Sequence, residues 1–204
     1  MKERKERLKW FAKFFKKGTG EADPQFQVYR DEVHEIAFKR AFELLRISDS
    51  DVTKEQPIIL LAPEQLDKRS KVRYKVVLED KQTADLLYDQ ALITMLLFGE
   101  DSLFFYQANL DYRYGFVTND VVSEVNYLDI MSYQTSFEYD DIEDPLFEIV
   151  DLDLFLYDGS VVPFNLRFRL FNGTEEELVL SETEKIVLDK FHTIVREKKR
   201  TFLE

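Results

Sequence analysis

Residues 147–171 read FEIVDLDLFLYDGSVVPFNLRFRLF. Phe147, Ile149, Asp151, Asp153, Phe155 and Tyr157 fall on one side of an alternating pattern, and Glu148, Val150, Leu152, Leu154 and Leu156 on the other. A period of two marks a strand with one face inward, and the leucine-rich 148–156 set is the face expected in the core. Asp158-Gly159 is a two-residue turn signal, since both residues tolerate the positive φ of a tight hairpin. Residues 160–171 are then the returning strand.

Downstream, Asn172-Gly173 opens a break, and Ser181-Glu182-Thr183-Glu184 has the spacing of a capping box, with Ser181 as N-cap. Val187, Leu188, Phe191, Ile194 and Val195 follow as one apolar stripe. Arg196, Lys198, Lys199 and Arg200 sit where cations suit the end of a helix.

Upstream, Ala91–Phe98 and Ser102–Tyr112 are strand-like and separated by Gly99-Glu100-Asp101. Residues 112–118 continue the pattern, with Asn119-Asp120 expected as a turn. Ser123–Tyr127 and Ser132–Tyr139 are further strands on either side of a bend at Leu128–Ile130. Six or seven strands followed by one amphipathic helix make the fold class α+β, mostly antiparallel, with a helical region at the N-terminus.

This order resembles the bacterial pleckstrin-homology-like (PH/GRAM-type) domain over residues 91–200. The passages carrying the resemblance are LFFYQANLDYRYG at 103–115, VSEVNY at 122–127 and EVNYLDIMS at 124–132; the resemblance implies that Ile130 packs inward after a bend. It also implies a β barrel or strongly bent sheet closed by the C-terminal helix, a fold that binds lipid head groups, peptides or other domains, or serves as a scaffold. Members that bind phosphoinositides carry Lys and Arg on the early hairpin loops. The equivalent loop here, Gly99-Glu100-Asp101, is acidic, so the barrel itself is not expected to bind them.

The first half reads differently. Residues 3–17 form a candidate helix with Leu8, Trp10, Phe11, Phe14 and Phe15 opposite Lys5, Lys9, Lys13 and Lys16. GTGEADPQ at 18–25 reads as a linker, and residues 26–46 as a second helix. Ile58–Leu61 and Lys71–Leu78 are short strands. The expected organisation is a basic helix and linker at 1–20, a helical or α+β region at 21–90 and a PH-like domain at 91–204.

Charge is uneven. The whole chain is −12. Residues 1–17 hold eight basic and two acidic side chains, so this segment is +6 and the rest −18. No Lys or Arg lies between Arg113 and Arg167, where twelve acids fall. The acidic body opposes attraction to nucleic acid. The absence of cysteine excludes disulfide scaffolds, thiolate metal sites and cysteine nucleophiles, and fits a reducing compartment. The longest apolar run, Ala91–Phe98, is short of the roughly 20 residues a spanning helix needs. The N-terminus lacks a secretory h-region. The expected location is cytoplasmic, with peripheral contact at the inner membrane face.

No catalytic constellation is legible. His34 and His192 stand apart, and no nucleophile elbow, phosphate loop or dinucleotide fingerprint occurs. No metal set and no cofactor is expected. The binding residues expected for a membrane or partner are Lys5, Lys9, Trp10, Phe11, Lys13, Phe14, Phe15 and Lys16. The helix has three destinations, in falling order of preference: a partner or the protein's own body, an anionic lipid surface, and nucleic acid. Docking on the body through charge would make the helix's protection salt-sensitive. Lys68, Arg69, Lys71, Arg73 and Lys75 form a second patch, read either as an anion or partner site or as the charged guard of an edge strand. The expectation is a non-catalytic binding or scaffold protein with a protein partner, an anionic membrane surface as a further contact, and no nucleic acid. The alternative is an enzyme or divalent-metal-binding protein using the acidic segment 138–158.

Overall fold

A computed structural model describes residues 2–66, 71–78, 84–141, 143, 147–170, 180 and 182–201. The chain is α+β. Its helices are α1 (Lys2–Phe14), α2 (Pro24–Leu45) and α3 (Glu182–Thr201). Its strands are β1 (Thr19–Gly20), β2 (Ile58–Pro63), β3 (Tyr74–Leu78), β4 (Ala84–Tyr88), β5 (Gln90–Phe98), β6 (Ser102–Asp111), β7 (Phe116–Asn126), β8 (Ile130–Tyr139), β9 (Phe147–Leu156) and β10 (Val161–Leu170). The capping residue expected at Ser181 and the break at Asn172-Gly173 lie outside the described residues.

The strands form three sheets, in the orders β1-β3-β4, β2-β5-β6-β7 and β10-β9-β8. Among the described residues they do not close into a barrel. Between β7 and β8 a short 3-10 turn at Tyr127–Asp129 takes the backbone out of the ladder. The Asn126 side chain accepts from Leu128 N–H, and Ile130 N–H donates to the Tyr127 carbonyl. These bonds satisfy groups that a continuous sheet would have used.

The chain divides into two compact units that interleave in sequence. The first comprises residues 1–44, 62–93 and 107–121, and the second residues 45–61, 94–106 and 122–204.

In the second unit, the β9–β10 hairpin turns at Asp158-Gly159, with Gly159 at φ +86. Its register sets Leu152 against Phe164 and Leu154 against Val162, and β8 sets Tyr133 against Leu154. The 148–156 face is the inner one, with Val150, Leu152 and Leu154 buried. Leu152 and Leu154 share one core with Leu96, Phe98, Leu103, Phe105, Tyr127 and Ile130. Leu188, Phe191, Ile194 and Val195 of α3 complete it. Burying a side chain of this size contributes about 2–3 kcal/mol.

In the first unit, Asp23 caps α2 by accepting from Gln25 N–H at 2.9 Å. Pro24 occupies the first helical position, where its missing N–H costs nothing. The expected linker contains β1, which pairs in parallel with Val76 and Val77 of β3. The turn expected at Asn119-Asp120 is instead inside β7. Asn119 holds φ 57 there, a backbone state that Asn tolerates better than most residues. The actual turn closes earlier, where Gly115 N–H donates to the Asp111 carbonyl at 2.9 Å. Asp120 faces Arg40 of α2, whose Nε donates to it at 2.8 Å.

Candidate functional site

The aromatic face of α1 is turned into the first unit. Phe11, Phe14 and Phe15 are buried. Phe14 stacks on Phe26 of α2 at 5.6 Å, and Phe11 lies 5.6 Å from the Tyr29 ring. Phe26 in turn meets Tyr112 edge-on at 6.1 Å. Trp10, half-buried, stacks on Phe14 at 4.7 Å. Offset and edge-on pairs of this kind each add about 0.5–1.5 kcal/mol beyond area burial. Lys5, Lys9, Lys13 and Lys16 are exposed, so the helix keeps a free cationic side while its apolar side is used internally.

One residue in the basic segment is not on the cationic side. Arg7 is buried. Its Nε donates to the Tyr112 carbonyl at 2.7 Å, Nη1 to Glu32 at 2.7 Å and Nη2 to the Tyr29 carbonyl at 3.1 Å. The guanidinium also lies over the Tyr29 ring at 4.3 Å. This planar fork ties α1 to α2 and to the chain just after β6. Lysine could not reproduce it. The sequence signal is faint: Arg7 precedes Phe11 by four positions, so it falls on the apolar side of the helix.

The two basic groups expected from sequence meet at one residue. Lys75 of β3 is 8% exposed. Its Nζ donates to the Phe14 carbonyl at 3.3 Å and stands 4.1 Å from the centre of the Phe14 ring. It lines a cavity of about 480 Å³ with Trp10, Lys13, Phe14, Lys16, Lys17 and Asp23. The aromatic rings supply apolar walls. Four lysines and one aspartate are among the lining residues, so the surroundings of the cavity carry net positive charge. Lys17 and Asp23 were not singled out from sequence. Asp23 is there because it caps α2, and a cap signal does not report what the other side of the residue faces.

Lys71 and Arg73, the other described members of the second patch, are not among the lining residues. Lys71 gives its carbonyl to Gln90 Nε2 at 3.3 Å. Arg73 is exposed, and its backbone N–H donates to Asp89 Oδ1 at 2.9 Å. Asp89 is fully buried, and burial pushes its carboxyl up despite the Arg73 N–H and the Arg113 charge. Lys68 and Arg69 lie outside the described residues. Lys5 and Lys9 sit on α1 away from the lining.

The described acids of segment 138–158 do not gather at one point. Asp140, Asp141 and Glu143 are exposed, and Asp141 Oδ1 accepts from Glu143 N–H at 2.8 Å. Asp151 accepts from Asn165 Nδ2 at 2.8 Å, and burial raises its pKa ahead of the nearby Glu138 and Asp153 charges. Among the described residues no group of three or more acidic or histidine side chains is placed to hold a metal ion. Among the described helices none is long and apolar enough to cross a membrane. His34 lies 2.9 Å from the Tyr112 hydroxyl. Burial, with the Arg30 charge second, lowers its pKa to about 4. His192 stacks on Tyr133 at 4.2 Å. The two histidines belong to different units.

Comparison with protein-family models, curated proteins and solved structures gives no match.

Proposed function

We propose that this chain is a non-catalytic binding protein that engages an acidic protein partner through the lysine-lined cavity of its first unit. One observation carries the reading. Lys13, Lys16 and Lys17 from the N-terminal segment converge with Lys75 of β3 around Trp10 and Phe14. Lysines from two separate stretches of a −12 chain thus meet at one place, against the charge of the molecule as a whole. Such a patch steers an acidic partner toward it.

Within residues 91–200, the part that belongs to the second unit supports a PH-like reading: antiparallel strands, a bend at Tyr127–Asp129 and a terminal helix in the same core. On that reading it is a scaffold or a protein-binding module. The cysteine-free sequence suits a cytoplasmic setting. An anionic membrane surface is the second reading, since Lys5, Lys9, Lys13 and Lys16 are exposed along α1. The burial of Phe11, Phe14 and Phe15 favours a protein over lipid insertion, because an interfacial helix needs its apolar face free. Use of segment 138–158 by an enzyme or for divalent-metal binding is the less favoured alternative, since its described acids do not gather at one point.

The test is titration with poly-L-glutamate, followed by the emission of Trp10, the single tryptophan. Saturable binding at low salt, weakened in Lys13→Gln/Lys16→Gln, is expected. No binding at low salt overturns the reading. Flotation with phosphatidylserine vesicles but no response to polyglutamate replaces the protein partner by a membrane.

A further inference from the structure

We infer that the cavity beside α1 is an anchor pocket for an acidic peptide segment bearing one aromatic or large aliphatic side chain, with that side chain against Trp10 and Phe14 and a neighbouring carboxylate on Lys75. This rests on the proposed acidic partner and specifies what in that partner is recognised.

Three features of the lining point to this occupant. The first is volume. At about 480 Å³ the space exceeds what a bare carboxylate needs and falls within the range of built ligand pockets. The second is the wall. Trp10 and Phe14 are stacked with an interplanar angle of 14°, and Trp10 is only half-buried. Closing an apolar ring or branched side chain over such a surface removes apolar area from water. The third is Lys75. Its ammonium has three donors, and among the described residues one acceptor is within reach, the Phe14 carbonyl at 3.3 Å. With one donor on that carbonyl, the ammonium at the cavity wall keeps donors available for an anion. A carboxylate there completes its hydrogen bonds in a partly desolvated setting, where such bonds are strong.

The rim adds selectivity. Lys13, Lys16 and Lys17 are exposed and favour further acids flanking the anchor. Asp23 lines the same space and repels a carboxylate on its side, so the anchor's charge is directed toward Lys75. An uncharged apolar peptide would leave Lys75 unpaired, and an anchorless acidic peptide would leave the aromatic wall wet. Acidic residues alone therefore bind weakly, and the anchor side chain adds affinity.

The probe is a hexapeptide of five acidic residues around one phenylalanine, blocked at both ends, titrated while Trp10 emission is followed. A version with alanine for phenylalanine and one with five lysines are the controls. Saturable binding of the phenylalanine peptide, roughly tenfold weaker with the alanine peptide and absent with the lysine peptide, is expected. Lys75→Met keeps the packing and removes the charge. It should weaken the phenylalanine peptide roughly tenfold while leaving the far-ultraviolet spectrum unchanged. If Lys75→Met perturbs the fold, Lys16→Gln on the exposed rim serves as the second variant and should weaken binding by a few-fold. Equal binding of the phenylalanine and alanine peptides overturns the anchor pocket and leaves the acidic-partner reading standing. Failure of both peptides and of polyglutamate overturns both.

Discussion

Arg7 Nε donates to the carbonyl of Tyr112 at 2.7 Å across 105 residues of sequence. That bond, with those to Glu32 and the Tyr29 carbonyl, makes α1 a structural member of the first unit. Arg7→Ala leaves two backbone carbonyls short of a donor and removes a stacked guanidinium. We expect a loss of about 2–4 kcal/mol, measured by urea unfolding. Arg7→Lys should recover little of it, because an ammonium cannot span three acceptors in one plane. Equal stability of Arg7→Lys and wild type would mean that charge, and not the fork, holds the helix.

Gly115 is the counterpart of that fork. It sits at φ +69, and a Cβ there would lie 2.7 Å from Arg7 Nη1. Gly115→Ala therefore combines left-handed strain of about 1 kcal/mol with a clash against a side chain held at three points. The two parts separate in a double-mutant cycle. In an Arg7→Ala background the clash vanishes and the backbone cost stays, so the substitution at 115 should cost less there. Additive losses would show that the two residues do not communicate.

The His34–Tyr112 contact gives a pH dependence. His34 has a pKa lowered to about 4 from an ordinary 6.5, chiefly by burial. The unfolded chain then binds more protons at this site between those values. The stabilising effect of the neutral imidazole is fully present above about 6.5. It is lost as pH falls through that window toward 4, amounting to roughly 2 kcal/mol after allowance for partial exposure. His34→Gln should flatten this part of the stability profile. A proton titration of the His34 ring near 6.5 in the folded protein would contradict the assignment.

The two units differ in how much of them is legible in the sequence. The 148–156 face announces itself because a half-buried strand must alternate, and Leu152 and Leu154 are where that pattern puts them. The α3 stripe is equally plain, since Leu188, Phe191, Ile194 and Val195 follow the helical period. β1 escapes notice because two residues, Thr19 and Gly20, carry no periodicity. Asn119 misleads because a residue that favours turns also tolerates positive φ within a strand. At the site, the exposed lysines of α1 are readable from their spacing. The destination of the opposite face is not, because Trp, Phe and Leu suit a lipid surface and a protein core equally well. The meeting of Lys75 with Phe14 depends on contacts 61 residues apart, which no local pattern encodes.

Phe191 tests the second unit. It is fully buried in the core formed by β-strand residues and α3, and its ring lies 5.9 Å from Tyr133 in an edge-on arrangement. Phe191→Ala should cost about 3–5 kcal/mol, the range for a large side chain removed from a packed interior. Denaturant unfolding followed by circular dichroism reads this directly. A loss below about 1 kcal/mol would mean that α3 is not part of the core.

The charge arithmetic of the chain predicts a helix held by its lysines and released by salt. The contacts of α1 argue otherwise. Its exposed lysines are at the surface, whereas Phe11, Phe14 and Phe15 pack on Phe26 and Tyr29. Aromatic burial is insensitive to screening, and a buried fork such as that of Arg7 is screened far less than a surface pair. Amide hydrogen exchange over residues 6–14 should therefore be slow at low salt and stay slow at high salt. Rapid exchange that is slowed by removing salt would return α1 to the status of an electrostatically tethered segment. Arg7→Ala supplies the internal control: it should speed exchange throughout α1 at both salt concentrations, because two of the three bonds it cuts are to backbone carbonyls, which salt screens little.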